Sequence, residues 1–237
     1  MTLAGRHAIV TGGGTGIGAA IAAALEADGA TVTRLGRRLE KLGPNGVAAD
    51  VTDRAQVDAA FAAARDRHGP ISILVNNAGA AHGVPFAKVT EELWRKMLAV
   101  NLDSLLHCCQ SALADLRSAE EGRIVTIASM AGLHGFAYAS PYIAAKHGAV
   151  GLMRALAAEY AGTGLTANAV CPGFVDTEMT VESIANIQAK TGRSADEARA
   201  ELARLNPSGR LIAPEEVARA ALDLILSDRN GEAVEIA

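Results

Sequence analysis

HAIVTGGGTGIG, His7 to Gly18, decides the fold. HAIV (7–10) is a short apolar run of the length that a buried strand needs. A glycine-rich turn follows it, and an alanine-rich helical pattern covers roughly residues 17–28. A strand that passes through a tight turn straight into a helix opens a β-α-β unit. The spacing Gly12-x-x-x-Gly16-x-Gly18 differs from the G-x-G-x-x-G dinucleotide fingerprint but meets similar physical demands. Glycines allow the turn and let backbone N–H groups approach a pyrophosphate, while the helix N-terminus behind them supplies positive dipole. Gly12, Gly14, Thr15, Gly16, Ile17 and Gly18 are therefore candidate cofactor contacts. The competing reading is a glycine-rich turn with no ligand; its place directly after the first strand favours binding.

The same alternation continues down the chain. Apolar runs recur at ATVTRL (30–35), GVAAD (46–50), ISILV (71–75), GRIVTIAS (122–129), LTANAV (165–170) and EAVEI (232–236). Helical patterns cover about 54–68, 91–117, 141–161 and 214–227. This order predicts an α/β fold: a doubly wound parallel sheet with helices on both faces, in one domain over 1–237. Val175 to Pro214 carries no clear pattern and follows the sixth strand. Ligands of such sheets bind beyond the carboxyl ends of strands, so about 175–214 reads as a substrate lid. An irregular helical excursion is the plainer alternative.

Composition removes several function classes. Half of the 237 residues are hydrophobic and only 3% are aromatic, which suits slim helices on a parallel sheet. A net charge of -4 gives no electrostatic case for nucleic acid. No stretch approaches eighteen apolar residues, so no membrane span is expected. The first apolar segment begins within a few residues of Met1, which leaves no room for a signal peptide. Cys108, Cys109 and Cys171 lack metal-ligand spacing; no metal is expected, and a reducing cytoplasm is the simple setting.

The second strand bears on cofactor type. A site for NAD usually ends that strand with a carboxylate for the ribose 2′-hydroxyl. Here the stretch is LGRR, Leu35 to Arg38, and a guanidinium at Arg37 can pair with a 2′-phosphate. NADP(H) is favoured and NAD(H) remains open; a solvated basic turn is the bland alternative.

PYIAAKHG, Pro141 to Gly148, holds Tyr142 and Lys146 one helical turn apart and on one face. Reduction of a carbonyl builds negative charge on oxygen, and a proton must reach it. Tyr is a poor acid at its free pKa of about 10, and a nearby ammonium together with an oxidised nicotinamide ring favours the phenolate and lowers that pKa. Ser129, thirteen residues earlier at a strand end, can donate to the same oxygen. Taken alone, Tyr-x-x-x-Lys decides nothing. His82 and His134 lie near the expected cleft and could shape a pocket, but loop histidines without partners are more often surface residues; Met130 suits the core as well as a pocket.

TGGGTGIG, NNAG (76–79), Asn101, Ser129, Tyr142-x-x-x-Lys146 and PGFVDT (172–177) occur in this order. Together they resemble the short-chain dehydrogenase/reductase family over essentially the whole chain, which implies a Rossmann-type sheet and an NAD(P)-dependent oxidoreductase. The resemblance implies that Asp50 and Val51 flank the adenine, and that Asn77, Ala78 and Gly79 line the cofactor cleft. It places Pro172, Gly173, Val175 and Thr177 at the nicotinamide end, where Tyr142 and Lys146 also touch the cofactor. It gives Asn101 a water that links Lys146 to solvent; a helix-interior Asn bonded to backbone is the alternative.

Residues 140–179 are most similar to ketoreductases of 3-oxoacyl thioesters, with substrate linked to CoA or a carrier protein. A small ketone, sugar or cyclic alcohol stays open, as does a cofactor-sensing or scaffold protein without turnover. The resemblance also implies a homo-oligomer, a dimer or tetramer through helices near 101–117 and 142–160. One feature departs from the family: Arg37 to Asn45 is too short for a crossover helix, which leaves a sheet face uncovered and Arg34 solvated.

Overall fold

In the computed structural model, residues 2–237 are described. Seven strands form one parallel sheet: β1 (His7–Thr11), β2 (Thr31–Gly36), β3 (Gly46–Ala48), β4 (Ile73–Asn76), β5 (Arg123–Ile127), β6 (Thr166–Pro172) and β7 (Ala233–Ile236). Their spatial order is β3-β2-β1-β4-β5-β6-β7. The chain runs outward one way from β1 and then outward the other way from β4. A crevice therefore opens between these two strands at their carboxyl ends.

Successive residues of a strand face opposite sides, and the apolar runs serve both. On β4, Ile73 and Val75 join one core while Leu74 joins the other. The first core packs α1 (Gly16–Ala27) and α8 (Pro214–Ile225) on the sheet through Ile21, Leu25, Val217 and Leu224. The second packs α2 (Arg54–His68), α4 (Ser104–Ser118) and α5 (Ser140–Glu159) through Phe61, Leu116 and Met153. Helix starts follow local chemistry. Asp53 accepts from the Ala55 and Gln56 amides at the head of α2, and Thr90 accepts from Leu93 N at the head of α3 (Glu91–Leu98).

The periodic stretch expected over 91–117 is continuous but not uniform. A π-helical turn, Ala99–Asp103, joins α3 to α4 and carries Asn101. The short connection after β2 holds one 3-10 turn, Leu39–Lys41, and no crossover helix. Arg34 is nevertheless not simply solvated, as expected above: its guanidinium reaches Glu26 of α1 at 2.8 Å. Leu42 folds back and is buried, so the connection covers part of the exposed face itself.

Residues 175–214, expected to lack pattern, contain two helices, α6 (Glu178–Thr191) and α7 (Ala195–Arg204). Signals for them were present. Gly192 adopts a left-handed C-cap with φ 71°, and Ser194 and Glu197 form a capping box. Alternating charge masked the apolar face that Ile184, Ala198 and Leu202 turn inward.

The tightest constraint lies at the head of α1. A Cβ on Gly18 would sit 2.2 Å from the Gly12 carbonyl oxygen. Gly18→Ala must push the helix off the strand turn, and we expect a stability loss of about 1–3 kcal/mol in urea denaturation.

Candidate functional site

A cavity of about 820 Å³ occupies the crevice at the carboxyl ends of the strands. Gly12, Gly14, Thr15, Gly16, Ile17, Arg37, Asp50, Val51, Asn77, Ala78 and Gly79 line it. Asn101, Ser129, Tyr142, Lys146, Pro172, Gly173, Val175 and Thr177 complete the set of predicted residues on its wall. Gly18 alone is not on the wall. Its missing side chain lets α1 close on Gly12 and on the Asn77 amide, which a Cβ would meet at 2.5 Å.

The turn after β1 is stitched to the turn after β4. Thr11 Oγ1 accepts from the Asn77 and Ala78 amides at 2.9 and 3.0 Å. Asn77 Nδ2 donates to the Thr11 and Gly12 carbonyls. At the head of α1, Thr15 makes no side-chain cap, and the first turn holds no acidic residue. Its N–H groups therefore remain available at the glycine turn. Gly16, with φ 52°, approaches Thr177, whose Cγ2 would lie 3.1 Å from a Cβ there. The glycine cradle, the uncapped helix and the volume of the cavity fit a dinucleotide, with the pyrophosphate at the turn.

At the far end of the cavity Ser129, Tyr142 and Lys146 converge. Ser129, two residues past β5, caps the turn that follows and accepts from Ala131 N at 3.1 Å. Lys146, 5% exposed, donates to the Ile127 carbonyl at 2.9 Å, and its Nζ lies 5.7 Å from the Tyr142 ring centre. Burial dominates the ionisation of both. It lowers the Lys146 ammonium to about 8 and raises the Tyr142 phenol, which the neighbouring Ser129 hydroxyl pulls partly back. The sequence reading joined Lys146 with an oxidised nicotinamide ring in favouring the phenolate; among the protein's own groups burial is the largest influence on the phenol, and it acts in the opposite direction.

Asn101 is 1% exposed and its amide is spent on backbone. Oδ1 accepts from Ala80 N, while Nδ2 donates to the Ala80 and Met97 carbonyls. The side chain thus pins the segment after NNAG. Gly79 makes the close approach possible, since a Cβ there would lie 2.8 Å from Asn101 Oδ1 and 3.7 Å from Lys146 Nζ.

The basic end differs in detail from the sequence reading. Arg37 lines the cavity and has no ion pair among the described residues. Arg38 and Lys41 both reach Glu178 at the head of α6, at 3.2 and 2.9 Å. Lys190 near the other end of α6 donates to the Gly83 carbonyl at 3.2 Å. Glu178 was not singled out by the sequence, because its partners are more than a hundred residues away. His82, set aside as a surface residue, lines the cavity, as do Met130, Phe136, Phe174 and Met179. His134 instead faces Glu235 at 3.4 Å.

The profile of the family described as short chain dehydrogenase matches residues 6–188. The ketoacyl reductase ascribed to the monensin polyketide synthase of Streptomyces virginiae is 40% identical over 228 residues, covering 90% of this chain and 87% of that protein. The D-beta-hydroxybutyrate dehydrogenase of Cupriavidus necator is 35% identical over 238 residues, 94% of this chain and 91% of its own. Among solved structures, a variant of the actinorhodin polyketide ketoreductase with NADPH superposes with a TM-score of 0.92 at 34% identity, covering 98% of this chain and 95% of that one. The strand order, the glycine cradle and the Ser-Tyr-Lys cluster agree with these likenesses, and this chain belongs to the short-chain dehydrogenase family.

Proposed function

We propose that the protein is an NADP(H)-dependent ketoreductase whose substrate is a 3-oxoacyl thioester carried by CoA or a carrier protein. One observation carries this reading: Ser129, Tyr142 and Lys146 meet in a dinucleotide-sized cavity that Arg37, without an ion pair among the described residues, also lines. The relatives named for ketoacyl reduction, and the related structure holding NADPH, support it. An apolar wall of Met130, Phe136, Phe174 and Met179 suits an acyl chain beside the reacting carbonyl.

Amides of the Gly12–Gly18 turn would hold the pyrophosphate, Arg37 the 2′-phosphate, and Asp50 and Val51 the adenine. Asn77, Ala78 and Gly79 would support the middle of the cofactor, with Pro172, Gly173, Val175 and Thr177 toward the nicotinamide. Bound there, a reduced nicotinamide supplies the hydride. Ser129 orients the carbonyl and donates to its oxygen as charge grows there. Tyr142, protonated because burial raises its pKa, gives that oxygen its proton. Lys146 then stabilises the phenolate and contacts the ribose. Reprotonation reaches Tyr142 through Lys146 and a water chain near Asn101, whose side chain keeps that region of backbone in place. Segment 175–214 closes the cleft as a lid. Copies pair through α4 and α5, where Leu106 is 46% exposed. The three buried free thiols suit a cytoplasmic setting.

Turnover of NADPH across 3-oxoacyl thioesters, simple ketones and sugars tests the activity. Thioesters should give the highest kcat/KM, and no turnover with cofactor bound would return the protein to a sensing role. Tyr142→Phe should lower ketone reduction by roughly 10²–10⁴-fold while NADPH still quenches protein fluorescence. Arg37→Ala should cut kcat/KM for NADPH by about 10–100-fold and leave NADH nearly unchanged. The Lys146 charge is lost as pH rises through about 8, so kcat/KM for NADPH should fall on that alkaline limb. A limb displaced to about 10 would assign it to an ordinary phenol instead.

A further inference from the structure

Asn206 lies outside every sequence motif, just past the end of α7, and only 2% of its surface is exposed. Its Oδ1 accepts from Phe174 N at 2.8 Å, and its Nδ2 donates to the Phe174 carbonyl at 2.9 Å. The same Nδ2 donates to the Arg210 carbonyl at 2.7 Å. Both main-chain groups of Phe174 are thus held by one side-chain amide from a residue 32 positions away. The contact is tight enough to dictate the neighbouring residue: a Cβ on Gly173 would lie 2.3 Å from Asn206 Oδ1.

Phe174 sits at a junction. Pro172 at the end of β6 and Gly173, Phe174 and Val175 just beyond it line the cavity, and Gly173 abuts Met130, the residue after Ser129. This wall borders the volume in which the reactive ring must lie if Tyr142 and Ser129 are to act on one carbonyl. On its other side, Phe174 packs against the small core of α6 and α7, with Ile184, Ala198 and Leu202. The Phe174 carbonyl also accepts from Ile212 N at 3.0 Å, where the chain returns toward α8. A buried amide whose donor and acceptor are both satisfied fixes geometry strongly, because any shift leaves a buried polar group unmatched.

We propose that Asn206 is a positioning residue that ties the seating of α6 and α7 to the wall facing the nicotinamide. It acts through Phe174 and Gly173, not by touching substrate or cofactor. This rests on the dinucleotide reading above but not on the identity of the carbonyl substrate. Loss of the tie should loosen the nicotinamide end and leave the adenosine end intact.

Two ligands separate the ends: NADPH and 2′-phospho-ADP-ribose, which lacks the nicotinamide. In Asn206→Ala, the Kd for NADPH should rise about tenfold while that for 2′-phospho-ADP-ribose stays within about twofold. Asn206→Asp retains the acceptor but turns a carboxylate toward two carbonyls, and it should show the same split. Equal weakening of both ligands, or no change in either, would overturn the proposal. So would failure of both variants to fold, which would make Asn206 a determinant of the fold alone. Binding is read by fluorescence without turnover, so these results stand apart from the substrate assignment. If wild-type protein bound 2′-phospho-ADP-ribose but gained nothing from the nicotinamide, both readings would fall.

Discussion

The close approach of α1 to the end of β1 is the constraint on which the rest depends. Only a residue without Cβ fits where Gly18 meets the Gly12 carbonyl. That contact fixes the angle at which the helix leaves the sheet and brings its unpaired N–H groups to the crevice. It also leaves room for Asn77, which joins the ends of β1 and β4 through Thr11 and Gly12. The two halves of the sheet are thus locked together at the crevice. A pyrophosphate bound there would meet dipole and amides already in place, with little reorganisation.

Desolvation governs the other end of the site. Lys146 is buried beside Tyr142 yet keeps a bond to the Ile127 carbonyl, so its ammonium is satisfied but weakened. The phenol is pushed the opposite way and remains an acid. Both shifts come from the same low-dielectric pocket. A positive nicotinamide ring would act on this pair in the direction of phenolate. The charge state of the cofactor therefore belongs to the acid-base machinery, and the protein alone sets only its starting point.

The segment over the crevice is held in two different ways. Exposed ion pairs from Glu178 to Arg38 and Lys41 join it to the connection after β2. Such pairs are worth at most about 1 kcal/mol and break readily. At the opposite end of the segment, Asn206 is buried and saturated. The short connection after β2 contributes to the weakly held edge, since it supplies both Arg38 and Lys41.

The sequence by itself determined the alternating elements, the parallel sheet, the glycine cradle and the Ser129, Tyr142 and Lys146 set. These are local patterns: periods of two and 3.6, tight turns, and one helical turn between Tyr142 and Lys146. It missed α6 and α7 although Gly192 and the Ser194–Glu197 box marked their ends, because alternating charge hid a narrow apolar face. Gly18 was readable as a required glycine, but not as one required for packing instead of ligand contact. Tertiary structure alone decided that Asn101 bonds to backbone, that Glu178 meets Arg38 and Lys41, and that Asn206 grips Phe174. Each of these depends on groups far apart in the chain. Burial, which sets the charge of Tyr142 and Lys146, likewise exists only once distant segments have excluded water from them.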